Sequence, residues 1–222
     1  MKKFGIILMV FITQLSNAQV DKKLGDFNEV SVFDQLEVVL VEDSENKILI
    51  TGDRASEVEV INKNDVLKLR MPFPKLLSGN NCKIALHYNN LLTINASEGA
   101  KVSSAAQLKT TMMTLTTKEG AEISLELETQ NLVLKAVTGG KIYLSGSTNN
   151  LDCSIATGGI VEAAELTSQK ATVSVSAGGS ATIFATNLVD AKIKAGGSIF
   201  IHGKPKQINK QTFLGGKIEE IN

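Results

Sequence analysis

A glycine followed by a second small residue recurs about every 19 residues along the C-terminal two-thirds of this chain. These glycines are Gly99, Gly120, Gly139, Gly158, Gly178, Gly196 and Gly215, with successive spacings of 21, 19, 19, 20, 18 and 19 residues. The second residue is alanine in the first two units and glycine in the other five. A fixed period near 20 residues predicts a solenoid, whose units bury their apolar faces only by stacking on one another.

Apolar residues keep register with these glycines at four positions of the unit. Three residues after each glycine lie Val102, Ile123, Ile142, Val161, Ala181, Ile199 and Ile218, and five after lie Ser104, Leu125, Leu144, Ala163, Ile183, Ile201 and Glu220. Five before lie Ile94, Leu115, Leu134, Cys153, Val173 and Ala191, and only Lys210, at the last repeat, breaks this column. Three before lie Ala96, Thr117, Ala136, Ile155, Val175, Ile193 and Thr212. The alternation has period two, which is the period of a β-strand.

Each unit is therefore predicted to be a strand, a tight glycine turn, a second strand and a more variable connection, such as residues 147–150 or 204–207. The leucine-rich repeat has a similar period, but its Leu/Asn pattern and its helical half are missing here. The prediction is an all-β chain folded as a right-handed parallel β-helix, with coils of about 19–20 residues stacked about 4.8 Å apart. The paired glycines are expected at corners that need a positive φ.

From Phe27 to Met71 the pattern is still that of strands, but the glycine pair is absent. We predict that residues 26–80 form irregular first coils that cap the solenoid, and that regular coils occupy residues 81–219. The alternative is a separate small N-terminal β-domain. The segment from Met71 to Pro74 contains two prolines, which cannot donate to a ladder, so it is expected to leave the stack before Cys82.

The first 18 residues have the pattern of a secretory signal peptide. Two lysines, Lys2 and Lys3, precede an apolar stretch over residues 4–12, and Ser16-Asn17-Ala18 supplies small residues for cleavage before Gln19. The apolar stretch is shorter than the roughly 20 residues of a membrane-spanning helix. Residues 19–222 are thus expected to form one exported β-helix domain that is periplasmic, attached to the cell surface or secreted, without a transmembrane segment.

Charge and cysteine content exclude several other classes. The 23 basic and 23 acidic residues cancel, which argues against a nucleic-acid partner. Two cysteines are too few for a disulfide-dense scaffold or a zinc site built from cysteine. In the predicted register Cys82 and Cys153 lie several coils apart, so we expect two separate buried thiols.

The chain resembles the family described as putative auto-transporter adhesin, head GIN domain, which is widespread in Bacteroidetes. The resemblance lies in the opening Phe27-Asn28-Glu29-Val30-Ser31-Val32, in corners such as Thr138-Gly139-Gly140 and Ala195-Gly196-Gly197, and in the close from Gly203-Lys204-Pro205 to Gly215-Gly216. It covers roughly residues 26 to 219. The corners here are Gly-Gly rather than the Gly-Ser-Gly usual in the family, and the first two are Glu-Gly-Ala. The resemblance implies an all-β fold and an envelope or secreted location, and it supplies no catalytic residues to carry over to this chain.

Outward-facing positions carry no constellation that predicts chemistry. His87 and His202 are about six repeats apart and are interpreted as surface residues, and Glu126 with Glu128 and Glu219 with Glu220 as surface charge. The outward sets two and four residues after the glycines mix Lys, Glu, Ser, Thr, Ile, Tyr and Phe. We predict no catalytic, cofactor-binding or metal-ligating residue and no cofactor.

The predicted function is therefore a non-catalytic, adhesin-like binding or structural module of the cell envelope. Its partner is expected to be a glycan or an envelope protein, and self-association is compatible with the sequence. The alternative is a polysaccharide-active enzyme of the β-helix lyase type, since many proteins of that fold cleave polysaccharides with clustered carboxylates beside Lys or Arg.

Overall fold

A computed structural model describes residues 19–221 as a β-solenoid of about seven turns, with seventeen strands connected in one curled sheet. The predicted signal peptide, residues 1–18, lies outside the described residues. The strands are β1 Gln19–Lys23, β2 Glu29–Val32, β3 Glu37–Glu42, β4 Lys47–Thr51, β5 Glu59–Lys63, β6 Val66–Arg70, β7 Lys83–Tyr88, β8 Thr93–Ala96, β9 Lys101–Ser104, β10 Leu108–Thr117, β11 Glu122–Val137, β12 Lys141–Ala156, β13 Ile160–Ser176, β14 Ser180–Ala195, β15 Ser198–His202, β16 Gln207–Leu214 and β17 Lys217–Glu220. One short 3-10 turn spans Ala55–Glu57. The predicted fold, a parallel β-helix, is confirmed.

The four apolar columns become continuous ladders between parallel strands. Ile142 pairs with Ile123 on one side and with Val161 on the other, and all three side chains are fully buried. Leu134 likewise pairs with Cys153 in the column on the opposite side of the corner. Burying each Val, Leu or Ile contributes about 1.5–3 kcal/mol, so the repeated ladder supplies the solenoid with its core.

The two glycines of a corner have different physical roles. Gly158 has a φ of +73°, and a Cβ there would meet no atom within 4 Å, so its requirement is conformational. Gly159 has no left-handed φ, but a Cβ at this position would overlap the carbonyl oxygen of Ala136 in the preceding coil. The expectation that the second glycine also needs a positive φ is therefore wrong at this corner, because close approach of the backbones selects it instead.

A column of hydroxyl side chains holds the bend that lies opposite the glycine corners. Thr110, Thr129, Thr148 and Ser168 pair in register from β10 to β13, and the last three are buried. The Thr148 hydroxyl donates to the Asn150 carbonyl oxygen at 3.2 Å, and the Ser168 hydroxyl donates to the Phe184 carbonyl oxygen at 2.7 Å. Residues 147–150, predicted as a connection, therefore continue strand β12 through the bend. The connection predicted at residues 204–207 is present between β15 and β16, where it spans residues 203–206.

The first coils are not stacked in sequence order. Strand β2 lies between β6 and β8, and β3 lies between β7 and β9, all in parallel pairings. The later segment that contains β6 and β7 thus occupies the outer layer. It is covered by antiparallel strands, since β4 pairs with β7, β1 with β4 and β5 with β6. The predicted capping coils are present, but their order in the stack differs from their order in the chain.

Both cysteines are free and buried. Because the β2–β3 coil is inserted into the stack, five coil steps separate the layers that contain Cys82 and Cys153, rather than the four counted in sequence order. Five steps correspond to roughly 24 Å along the axis, well beyond the reach of a disulfide. The prediction of two separate buried thiols is confirmed.

Candidate functional site

The outward positions that follow the glycine corners form two neighbouring columns on one face of the solenoid. The first column, four residues after each glycine, is an unbroken ladder of paired residues: Ser103, Ser124, Tyr143, Glu162, Thr182, Phe200 and Glu219. The second column contains Glu126, Ser145 and Glu165 in one paired run, and Phe184 with His202 in another. Carboxylates, hydroxyls and aromatic rings therefore alternate on a single face.

Part of this face is concave and forms an open groove of about 600 Å³, which we call the acidic groove. Its polar and aromatic lining consists of Ser103, Ser104, Ser124, Glu126, Tyr143, Ser145, Glu162 and Glu165. Among the described residues that line it, none is a lysine, an arginine or a histidine. The described lining of the groove therefore contains three carboxylates and no basic side chain.

A β-bulge shapes the groove. Tyr143 pairs with Glu162 and Ser145 with Glu165, so the single residue Leu144 lies opposite two residues of β13. The next pairing, from β13 to β14, contains a larger irregularity after Ala163. A bulge bends its strand and redirects the side chains that follow it, and bulges are common beside functional sites. The extra residue moves Glu165 out of the regular register and places it at the rim beside Ser145.

The groove offers hydrogen-bond acceptors in excess of donors. Ionised carboxylates only accept hydrogen bonds, whereas the serine and tyrosine hydroxyls can donate or accept. Glu126 already accepts a hydrogen bond from the Gln107 amide at 3.2 Å, which fixes one wall. Tyr143 is half-buried and adds a rigid ring with a polar end. Such a surface suits a ligand that is rich in hydroxyl donors and carries no negative charge.

The repeat pattern predicts the outward register of the first column, but it does not identify the second column. Glu162, Tyr143 and Phe200 belong to the mixed outward set four residues after the glycines, and the sequence predicts Glu126 only as surface charge. The first column has the predicted outward register, yet nothing in the repeat indicated that Glu126, Glu162 and Glu165 surround one groove.

The two histidines occupy different environments. His202 lies outward beside Phe184 on the face just described. His87 is only 21% exposed, and its Nδ1 lies 2.9 Å from Asp43 Oδ2, so its interpretation as a solvated surface residue is incomplete. Hydrogen bonds from Lys47 and then from His87 hold the pKa of Asp43 well below its usual value. The Ser44 hydroxyl donates to the carboxylate at 3.4 Å rather than to the imidazole, so these residues do not form a Ser–His–Asp triad.

A metal-binding cluster and a membrane-spanning helix are both absent from residues 19–221. Within that range no three or more His, Cys, Asp or Glu side chains are arranged to hold a metal ion. In the same part of the chain there is no helix of the length and apolar character needed to cross a membrane.

The fold and the groove define a β-solenoid protein with an open acidic face. A family model described as "Putative auto-transporter adhesin, head GIN domain" matches residues 26–205. The chain belongs to this family. No match is found among curated proteins.

Solved structures with the same fold come from Bacteroides and Parabacteroides species. A putative adhesin from Bacteroides fragilis is 20% identical with a TM-score of 0.86, over 94% of this chain and 98% of its own. A structure from Parabacteroides distasonis named as a putative lipid binding protein is 19% identical with a TM-score of 0.71, over 94% and 98%. A putative adhesin from Parabacteroides merdae is 20% identical with a TM-score of 0.68, over 92% and 96%. At these identities the likeness shows the fold alone; the names of the family and of these structures are those of adhesins or lipid-binding proteins, not of enzymes.

Proposed function

We propose that this protein is an exported, non-catalytic binding module of the bacterial cell envelope, which contacts neutral glycans through the acidic groove. The observation that carries the proposal is the groove itself, in which Glu126, Glu162 and Glu165 surround Tyr143. Sugar hydroxyls would donate to the carboxylates, and the tyrosine ring offers an apolar surface for the face of a sugar ring. The groove volume falls within the range of about 300–1,000 Å³ that is typical of small-molecule sites.

The charge of the groove supports a neutral rather than an acidic glycan. An anionic polysaccharide would bring like charges against three carboxylates, which costs affinity. The lack of a lysine or arginine in the described lining also favours binding over β-helix lyase chemistry, for which we expected a basic residue beside the carboxylates.

The test of the site is calorimetric titration with a panel of neutral and uronate-containing oligosaccharides. Glu162→Gln removes one charged acceptor, and Tyr143→Ser introduces the residue type that the adjacent coil already carries at this position, Ser124. Each change should weaken binding of a neutral ligand about tenfold, equivalent to roughly 1.4 kcal/mol. The matched control is Asp152→Asn, an exposed carboxylate on the sheet that precedes the corner.

Three outcomes would contradict the proposal. The panel could contain no neutral glycan that binds, uronates could bind more tightly than neutral sugars, or the control could weaken binding as much as Glu162→Gln does. The lyase alternative has a separate readout. Steady release of unsaturated products or reducing ends from a polysaccharide, abolished by Glu162→Gln, would show that the protein is an enzyme and not a non-catalytic binding module.

Export is proposed from the pattern of residues 1–18. The full chain should appear outside the cytoplasm with Gln19 as its first residue, which fractionation and N-terminal mass spectrometry would show. A variant that lacks residues 2–18 should stay in the cytoplasm. Retention of the full chain in the cytoplasm with residues 1–18 intact would contradict the export proposal without affecting the groove.

A further inference from the structure

The apolar interior of the solenoid ends on an ion pair. In the ladder five residues before each glycine, Lys210 follows the buried Ala191, and in the ladder five residues after, Glu220 follows the buried Ile201. The Lys210 Nζ lies 2.7 Å from the Glu220 Oε1. The preceding members of the first ladder are all buried: Ile94, Leu115, Leu134, Cys153, Val173 and Ala191. Two positions that are apolar in the neighbouring coil thus become opposite charges that pair with each other.

The pair joins the two walls of the coil formed by β16 and β17. These strands lie on either side of the Gly215 corner, so the contact runs from one wall of the solenoid to the other, next to Ala191 and Ile201. The side chains of Lys210 and Glu220 remain 37% and 51% exposed. Water can therefore solvate both charges as long as no further coil covers them.

This coil otherwise has the features of a stacking surface. Within the described chain β16 pairs only with β14 and β17 only with β15, so their outer edges are unpaired, and an unpaired strand edge is a template for another chain. Phe213 and Leu214 are 65% and 79% exposed on the same coil. A second copy docked here would cover Lys210 and Glu220 and remove both charges from water, which is costly even for a paired lysine and glutamate.

We infer that the Lys210–Glu220 pair prevents two copies of this chain from stacking end to end through their β16–β17 coils. Inward-pointing charges are one of the devices by which sheet proteins protect exposed edges. At the opposite end, β1 runs antiparallel to β4 and presents Asp21, Lys22 and Lys23, all exposed. Because that end does not match the β16–β17 coil, loss of the block would favour a closed two-fold dimer over a filament.

The experiment replaces both charges with apolar residues. Lys210→Leu with Glu220→Val should raise the mass measured by sedimentation velocity to about twice that of the wild-type protein at the same concentration. The matched control is Lys217→Leu with Glu219→Val, which removes an ion pair of 2.6 Å from outward positions of the same coil. The control should keep the wild-type mass, as should the exchanged pair Lys210→Glu with Glu220→Lys.

Circular dichroism and thermal unfolding establish that each variant is folded. If the Leu/Val variant does not fold, Lys210→Ala with Glu220→Ala removes the same charges with less added apolar area and should still associate more than wild type. A folded, uncharged variant with the wild-type mass would overturn the inference. Equal association of the Lys217/Glu219 control would also overturn the inference. It would show that association follows any loss of surface charge and does not depend on the Lys210–Glu220 pair.

Discussion

The carboxylate of Asp34 organises the loop that connects β6 to β7, and its removal gives a prediction whose size follows from counted hydrogen bonds. Asp34 is 1% exposed. Its two carboxylate oxygens accept the backbone N–H groups of Met71 at 3.0 Å and Leu77 at 2.9 Å, and its carbonyl oxygen accepts the N–H of Gly79 at 2.9 Å. One side chain therefore anchors the loop at both ends, although the tip exposes 86% of Phe73.

Asp34→Ala should destabilise the protein by about 2–5 kcal/mol. A buried N–H left without an acceptor costs about 1–3 kcal/mol, and Met71 is fully buried whereas Leu77 can reach water in part. Asp34 also has a φ of +59°, where alanine lacks the local hydrogen bonding that makes aspartate and asparagine tolerant, and this adds about 1–2 kcal/mol. Asp34→Asn keeps one acceptor and the tolerance of positive φ, so its loss should be about half as large.

Urea unfolding measures the loss, and hydrogen exchange at the Met71 and Leu77 amides locates it. Asp65→Ala is the control for backbone conformation, because Asp65 has a φ of +61° but is exposed. If Asp34→Ala costs no more than Asp65→Ala, the buried hydrogen bonds contribute nothing and the reasoning is refuted. Equal losses for Asp34→Ala and Asp34→Asn would also refute it.

Three further changes test other parts of the structure. Gly159→Ala should destabilise by more than Gly158→Ala, which costs only about 1 kcal/mol for its left-handed φ, and thermal unfolding of the two variants compares them directly. Burial and the neighbouring buried Asp34 raise the pKa of Glu98. The folded state therefore favours the neutral form of Glu98, and the stability that this form contributes is lost as the pH rises through the raised pKa. Glu98→Gln should therefore be more stable than wild type at pH 7 and equal to it below about pH 4; higher wild-type stability at pH 7 would contradict this. Alkylation of the unreduced, denatured protein should modify both Cys82 and Cys153, and a mass without two adducts would show a disulfide.

The interior ladders could be predicted from the sequence because each coil repeats the same physical requirement. Ile142 must fill the space between Ile123 and Val161, so the residue type recurs at the repeat spacing and reveals the strand register. The same logic found Lys210 as the residue that breaks a column. It did not show that Lys210 pairs with Glu220, because that contact crosses the coil and has no repeating counterpart.

The order of the first coils could not be predicted in this way. Val30 in β2 pairs with Leu67 on one side and with Ile94 on the other. All three are apolar β-strand residues, and period-two alternation fits any stacking order of their strands equally well. Without a glycine pair to mark the corner, the sequence carries no count of layers from Phe27 to Met71, and the inserted coil becomes visible only in the strand pairing.

The acidic groove left a trace in the spacing of the glycines rather than in the identity of its residues. From Gly139 to Gly158 the spacing is 19 residues, from Gly158 to Gly178 it is 20, and from Gly178 to Gly196 it is 18. The unit with the extra residue contains β13, where the bulge lies opposite Leu144. A coil that is one residue longer than its neighbour can keep its ladder in register only if the extra residue stays unpaired in a β-bulge. The bulge changes the direction of the strand at that point. A change in the glycine spacing thus marks a position at which a regular solenoid can form a concave site. The identity of outward residues such as Glu165 gives no such signal, because the interior ladders leave these residues free to vary.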